Sequence, residues 1–221
     1  MIKASLFAAG LASIVASAAS ADVIAGWSMP TAVAASTTGA TYSYGAANSG
    51  ALVSGSMLSG THSSASTAWS SPAGNGTTYA LSSNAWNVGD YYQISLATTG
   101  YSAVSVAWDQ TRSSTGPAGF EAVLSVDGGS TFSSLGSYTV NQVSWSTSVP
   151  VTTSSFGSVA SAADNRASVI IRFKVVTAGT STTTGTNRID NISVTGTVLP
   201  VPSPGAIALV GLAGLVARRR R

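Results

Sequence analysis

Few residues in this chain can do chemistry. Of 221 residues only 7 are Asp or Glu, 10 are Lys or Arg, one is His and none is Cys. Without Cys there is no disulfide, no thiolate metal site and no cysteine nucleophile. A serine triad needs a His as its base. The single candidate, His62, sits in the low-complexity stretch Thr61-His62-Ser63-Ser64-Ala65-Ser66, and no G-x-S-x-G elbow accompanies it. A glycosidase needs two carboxylates facing one bond; Glu121 is the lone Glu, and alternation sends it outward on its strand. No phosphate-binding loop or dinucleotide fingerprint is present. The expectation from the sequence is a protein that is not an enzyme.

The best polar group is the run Trp108-Asp109-Gln110-Thr111-Arg112, in which Trp108, Asp109 and Arg112 form a candidate ligand rim. The competing reading is that Asp109, Arg112, Arg188 and Asp190 make structural ion pairs or hydrogen bonds at loop bases. Exposed pairs of that kind contribute under about 1 kcal/mol. Asp127, with Asp164-Asn165 or Asp190-Asn191, could supply oxygens to Ca2+, which takes roughly six to eight. The D-x-D-x-D-G spacing is absent and a hairpin turn accounts for Asp127, so no metal residues are assigned and no cofactor is expected. Trp69, Trp86, Trp145, Tyr79, Tyr91, Tyr101 and Tyr138 are numerous for a chain so rich in small residues. They either fill the core or offer platforms on which sugars stack.

Charge narrows the partners. Between residues 22 and 204 the bases are Arg112, Arg166, Arg172, Lys174 and Arg188, and the acids are Asp22, Asp90, Asp109, Glu121, Asp127, Asp164 and Asp190. Five minus seven leaves −2, so the overall +3 belongs to the two ends. Nucleic-acid binding needs a basic face to neutralise phosphates, and none is expected here.

The elements that must position these residues read as strands. Residues 167–177 alternate, with Val169, Ile171, Phe173 and Val175 on one face and Ile170, Arg172, Lys174 and Val176 on the other. Period two is the mark of a half-buried strand. It recurs with Tyr92, Ile94 and Leu96; with Val104, Val106 and Trp108; with Phe120, Ala122, Leu124 and Val126, against outward Glu121 and Ser125; and with Ile192, Val194, Gly196 and Val198. Asp127-Gly128-Gly129-Ser130 reads as a hairpin turn. Strands at this spacing predict an all-β fold: a single antiparallel β-sandwich of jelly-roll type over residues 22–199. Residues 31–78 are small and Ser/Ala/Gly-rich, and fit short strands or long loops equally.

The ends read as targeting segments, each predicted to be a helix flanking the sandwich. Residues 1–21 have Lys3, an Ala-rich apolar stretch and a small-x-small site at Ala19 and Ala21 before Asp22, the design of a cleaved signal peptide. Residues 200–221 carry Val201, Pro202, Ser203, Pro204 and Gly205, then an apolar run, then Arg218, Arg219, Arg220 and Arg221 as a stop-transfer cluster. The run over 205–217 would rise about 20 Å as a helix, against a hydrocarbon core of about 30 Å.

This three-part tail resembles the PEP-CTERM sorting signal of bacterial exosortase substrates, with Ser203 where that motif usually has Glu. The segments 107–117, 124–132 and 187–192 are similar to the globular part of planctomycete-like members. The resemblance implies an exported protein held briefly by a transmembrane helix in the inner membrane, with exosortase and the membrane as partners. The cell surface or extracellular matrix is its implied destination, and a jelly roll closed by residues 188–192 beside a first strand containing Trp27 is its implied fold. The function expected on this basis is a structural or interaction role without catalysis; the alternative is a carbohydrate-binding module for matrix polysaccharide.

Overall fold

The computed structural model describes residues 20–140, 152–156 and 161–200, the middle segment by its backbone pairing alone. Its strands are β1 (Ala21–Trp27), β2 (Thr41–Gly45), β3 (Met57–Thr61), β4 (Trp69–Ser70), β5 (Leu81–Ser83), β6 (Tyr91–Leu96), β7 (Tyr101–Arg112), β8 (Gly119–Ser125), β9 (Ser133–Thr139), β10 (Thr152–Phe156), β11 (Val169–Thr177) and β12 (Asn187–Val198). They form two six-stranded antiparallel sheets. The first runs β10-β7-β12-β5-β4, with β1 also paired to β12; the second runs β2-β3-β6-β11-β8-β9.

Strong alternation decides which side chains meet between the sheets. On β11, Val169, Ile171, Phe173 and Val175 are fully buried, and they face Val104, Val106 and Trp108 of β7 and Ile189, Ile192 and Val194 of β12 across one hydrophobic core. Tyr92, Ile94 and Leu96 of β6 and Phe120, Ala122 and Leu124 of β8 complete it. Each large apolar side chain so buried contributes about 1.5–3 kcal/mol. Several positions depart from the alternation, among them Val123, Asp109, Thr111 and Asp190, which are buried beside buried neighbours. Ser125 is buried, because its hydroxyl donates to Asp127 Oδ1 (2.7 Å) and accepts the Gly129 N–H (2.9 Å), folding it into the turn. Val198, at the end of β12, is 47% exposed.

The hairpin at residues 127–130 joins β8 to β9, with Gly128 and Gly129 at φ of 74° and 92°. The first strand does lie beside the last, with Trp27 opposite Ile192 and Ala21 opposite Thr197.

The expected flanking helices are corrected. Among the described residues no helix is long and apolar enough to cross a membrane, and the helical element is a single 3-10 turn, Ser161–Ala163. Strand structure runs to both edges of the fold: β1 begins at Ala21, and beyond β12 the Leu199 N–H donates to Gly100 O (2.8 Å). The PEP-CTERM resemblance, its transmembrane helix and its transient inner-membrane anchoring are corrected by that finding, and nothing among the described residues supports its exosortase partner. Ala19, the sorting motif Val201, Pro202, Ser203, Pro204 and Gly205, and the cluster Arg218, Arg219, Arg220 and Arg221 lie outside the described residues. Ala21 and Asp22 lie within β1, opposite Thr197 and Gly196.

Candidate functional site

The sole histidine belongs to a constellation with no sequence motif to announce it. Ser83 Oγ lies 3.2 Å from His62 Nε2, and His62 Nδ1 lies 3.4 Å from Asp90 Oδ2. Those are the connections of nucleophile, base and orienting acid. All three residues are buried, however, at 1%, 3% and 3% exposure. The imidazole is packed against Trp86 (4.1 Å between ring centroids) and Trp69 (4.9 Å), and the Ser83 hydroxyl also faces Tyr92 Oη at 3.3 Å. Asp90 is occupied with the backbone N–H groups of Ser63 and Asn87, both at 2.7 Å. Burial holds the imidazole below its ordinary pKa of 6.5, against the opposing pull of the Ala85 carbonyl and Asp90. A nucleophile that no substrate can touch does no acyl transfer. This group is a hydrogen-bonded chain inside the core.

The expected rim is dispersed by burial. Trp108 is fully buried between the sheets, with its indole N–H donating to Gln110 Oε1 (3.0 Å). The Arg112 guanidinium donates to the carbonyls of Val140, Ser113, Ser114 and Gly116, pinning the loop after β7. Asp109 is buried and stands directly opposite Asp190 across β7 and β12. The loop of residues 72–80 closes over this pair. Asn75 donates its backbone N–H to Asp190 Oδ2 and its amide to Asp109 Oδ2, both at 2.8 Å, and Asn191 donates to Asp109 Oδ2 at 2.7 Å and to Asn75 O at 2.9 Å. Burial raises the Asp190 pKa; its hydrogen bonds from Thr77, Asn75 and Asn191 oppose that, and the Asp109 charge adds to it.

The carboxylates considered for Ca2+ have separate tasks. Asp127 accepts the Thr131 N–H (3.0 Å) and hydroxyl (2.6 Å) and the Ser125 hydroxyl, which hold its carboxyl far below the usual range. Asp164 accepts the Val104 N–H (3.2 Å). Among the described residues no group of three or more His, Cys, Asp or Glu is placed to hold a metal.

The aromatic residues divide. Trp69, Trp86 and Tyr101 are buried, Tyr79 and Tyr138 pack against the core, and Trp145 lies outside the described residues. Tyr91 is different: it occupies the outward register of β6, with Gln93 and Ser95. Opposite them on β11 the outward residues are Lys174, Arg172 and Ile170. This open face of the second sheet is the candidate site.

At its centre the Arg172 guanidinium carbon lies 4.2 Å from the Tyr91 ring centroid and 4.0 Å from that of Phe132, while Arg172 Nε donates to Gln93 Oε1 at 2.8 Å. The two rings arrive from opposite sides, Tyr91 from β6 and Phe132 from the β8–β9 turn. Asp127 fixes that turn through Thr131, the residue before Phe132. Lys174 Nζ is paired with Glu121 Oε2 at 3.0 Å. The Arg172–Gln93 row continues through Ser59 and Ser43, and the Lys174–Tyr91 row through Thr61 and Thr41, giving a strip of hydroxyls beside the aromatic and planar polar groups. A shallow groove of about 270 Å³ beside β1 and β12 is less well equipped, because its Gly26 backbone is already hydrogen-bonded to the Ser49 and Asn48 backbones.

No known family matches the chain, and no curated protein matches it. Among solved structures it is similar to TmCBM61 in complex with β-1,4-galactotriose, at 12% identity over 64% of this chain and 88% of that one, with a TM-score of 0.39. It is also similar to the cleaved adhesin domain of Lys-gingipain from Porphyromonas gingivalis, at 8% identity over 76% and 95%, with a TM-score of 0.42. The N-terminal cellulose-binding domain of Cellulomonas fimi β-1,4-glucanase C gives 17% identity over 60% and 90%, with a TM-score of 0.33. Likenesses this distant assign no ligand and no residue role to this chain.

Proposed function

We propose that residues 22–199 are a non-catalytic glycan-binding module, and that the open face of the second sheet is its binding surface. The observation that carries this reading is the cluster of Tyr91, Phe132, Arg172 and Gln93 beside the hydroxyls of Ser59, Ser43, Thr61 and Thr41. A sugar ring has an apolar C–H face and a rim of hydroxyls. Aromatic faces suit the first, and a few well-placed planar polar groups suit the second. A flat sheet face with alternating short hydroxyl side chains leaves room for an extended chain to lie along it.

The test is a glycan array followed by titration of the best ligand. Replacing Tyr91 with Ala removes one ring from the surface and nothing from the core, so affinity is expected to fall roughly three- to tenfold with little change in melting temperature. Binding that survives Tyr91→Ala unchanged would place the ligand elsewhere. Polysaccharide turnover by the unaltered protein would replace the reading with an enzyme.

A further inference from the structure

Resting on that reading, we infer that the glycan bound by this face is acidic, and that Arg172 grips a uronate carboxylate of it edge-on. Of the two cations on the face, Lys174 is already neutralised by Glu121. Arg172 has no carboxylate within ion-pair distance among the described residues, although the body between residues 22 and 204 carries a net −2. Its only described hydrogen bond uses Nε, toward Gln93.

The Arg172 guanidinium carbon lies over the rings of both Tyr91 and Phe132, and Nε is taken by Gln93. What remains for a ligand is the outer edge, where two parallel N–H donors match the two oxygens of a carboxylate. Gln93 and the rings also fix the fork before the ligand arrives, so little side-chain freedom is lost on binding. By contrast, the Arg112 guanidinium is spent on backbone carbonyls and Arg166 Nε donates to Ala162 O. Arg172 is thus an oriented cation on an exposed face whose Nη groups have no described acceptor.

The experiment is calorimetric titration of the full chain with oligomers of galacturonate, mannuronate and glucuronate. Controls are a neutral β-1,4-galactan oligomer of the same length, the methyl-esterified galacturonate and a sulfated galactan. At least one uronate is expected to bind, more weakly as salt is raised, and to lose at least about tenfold in affinity on esterification or with Arg172→Lys, which keeps the charge but not the fork. Should Arg172→Lys fail to fold, the esterified ligand on the unaltered protein still decides. Equal binding of the neutral oligomer, with no effect of Arg172→Lys, overturns the acidic-ligand inference and leaves the glycan reading standing. Tighter binding of the sulfated galactan than of any uronate overturns the carboxylate assignment. Failure of every glycan to bind overturns both.

Discussion

At the scale of single residues, two positions carry strong expectations. Gly74 lies where the loop of residues 72–80 crosses Asp190. A Cβ there would collide with Asp190 Oδ2, the Tyr79 carbonyl and the Thr77 hydroxyl, two of them parts of the same clamp. Gly74→Ala is therefore expected to cost about 1–3 kcal/mol, the usual range for overpacking, read as a lower urea midpoint. His62 sets a pH dependence. Its native pKa lies below 6.5, with desolvation the main cause and the Ala85 carbonyl and the neighbouring Asp90 opposing it. Above about pH 6.5 neither the folded nor the unfolded chain protonates it, and its contribution is flat. As the pH falls below that value the unfolded chain takes up a proton before the native one does, so stability falls. Asp190 works the other way: its raised pKa lets the native state bind a proton first, which adds stability on acidification. The His62 share is isolated by comparing the unaltered protein with His62→Gln between pH 7 and pH 5. The variant is expected to melt lower at pH 7 and to show a shallower decline. Parallel curves would remove His62 as the source.

At the scale of elements, β12 organises the first sheet. Its start pairs with β5, its later residues pair with β1, and β7 runs along its other side with a register shift between Asp190 and Ser193. Asn191 sits in that shift at φ 46°, which lets its amide reach back to Asn75 O and Asp109. Positive φ costs an ordinary L-residue about 1–2 kcal/mol, with Asn and Gly the usual exceptions. The two amide bonds add about 1 kcal/mol each. Denaturant midpoints should therefore order as unaltered protein above Asn191→Gly above Asn191→Ala; an Ala variant as stable as the Gly variant would contradict the backbone argument. The same element shows what could be read from residues alone. The inward faces of β6, β8 and β11 and most of that of β7 follow from period-two alternation, whereas the pairing of β12 with β1 joins segments too far apart in the chain for local spacing to mark it. In β2, β3 and β4 that signal is faint because the volume is filled from afar: a Cβ on Gly60 would strike the Trp69 ring, so a glycine on one strand makes room for an indole on another. Trp69, a candidate for an exposed platform, is core for this reason, and Trp86 is core because it packs among His62, Tyr92 and Phe120. The polar face of Arg172 and Lys174 was visible in the alternation of β11, but the placing of Phe132 depends on a turn held by Asp127, and the Ser83–His62–Asp90 chain joins three loops and strands with no local spacing to mark it.

At the scale of the molecule, the two sheets are interleaved along the chain. The first takes β1, β4, β5, β7, β10 and β12, the second β2, β3, β6, β8, β9 and β11, and the first strand waits for the last before it can pair. The cross-sheet bond from Tyr92 Oη to Asn187 O (2.8 Å) also depends on β12. Contacts this distant in sequence must close large loops before they return any free energy, which makes such folds slow to form and hard to build from parts. Without β12, strands β7, β5 and β1 lose their common partner and Trp27, Trp108 and Phe173 lose the wall formed by Ile189, Ile192 and Val194. A fragment ending at Thr186 is thus expected to show no near-ultraviolet aromatic circular dichroism and rapid proteolysis, whereas one ending at Pro200 keeps both the signal and the resistance. A fragment ending at Thr186 that unfolds cooperatively would mean that the second sheet folds alone. The proposed binding face, built on β6 and β11 of that sheet, would then not need the first.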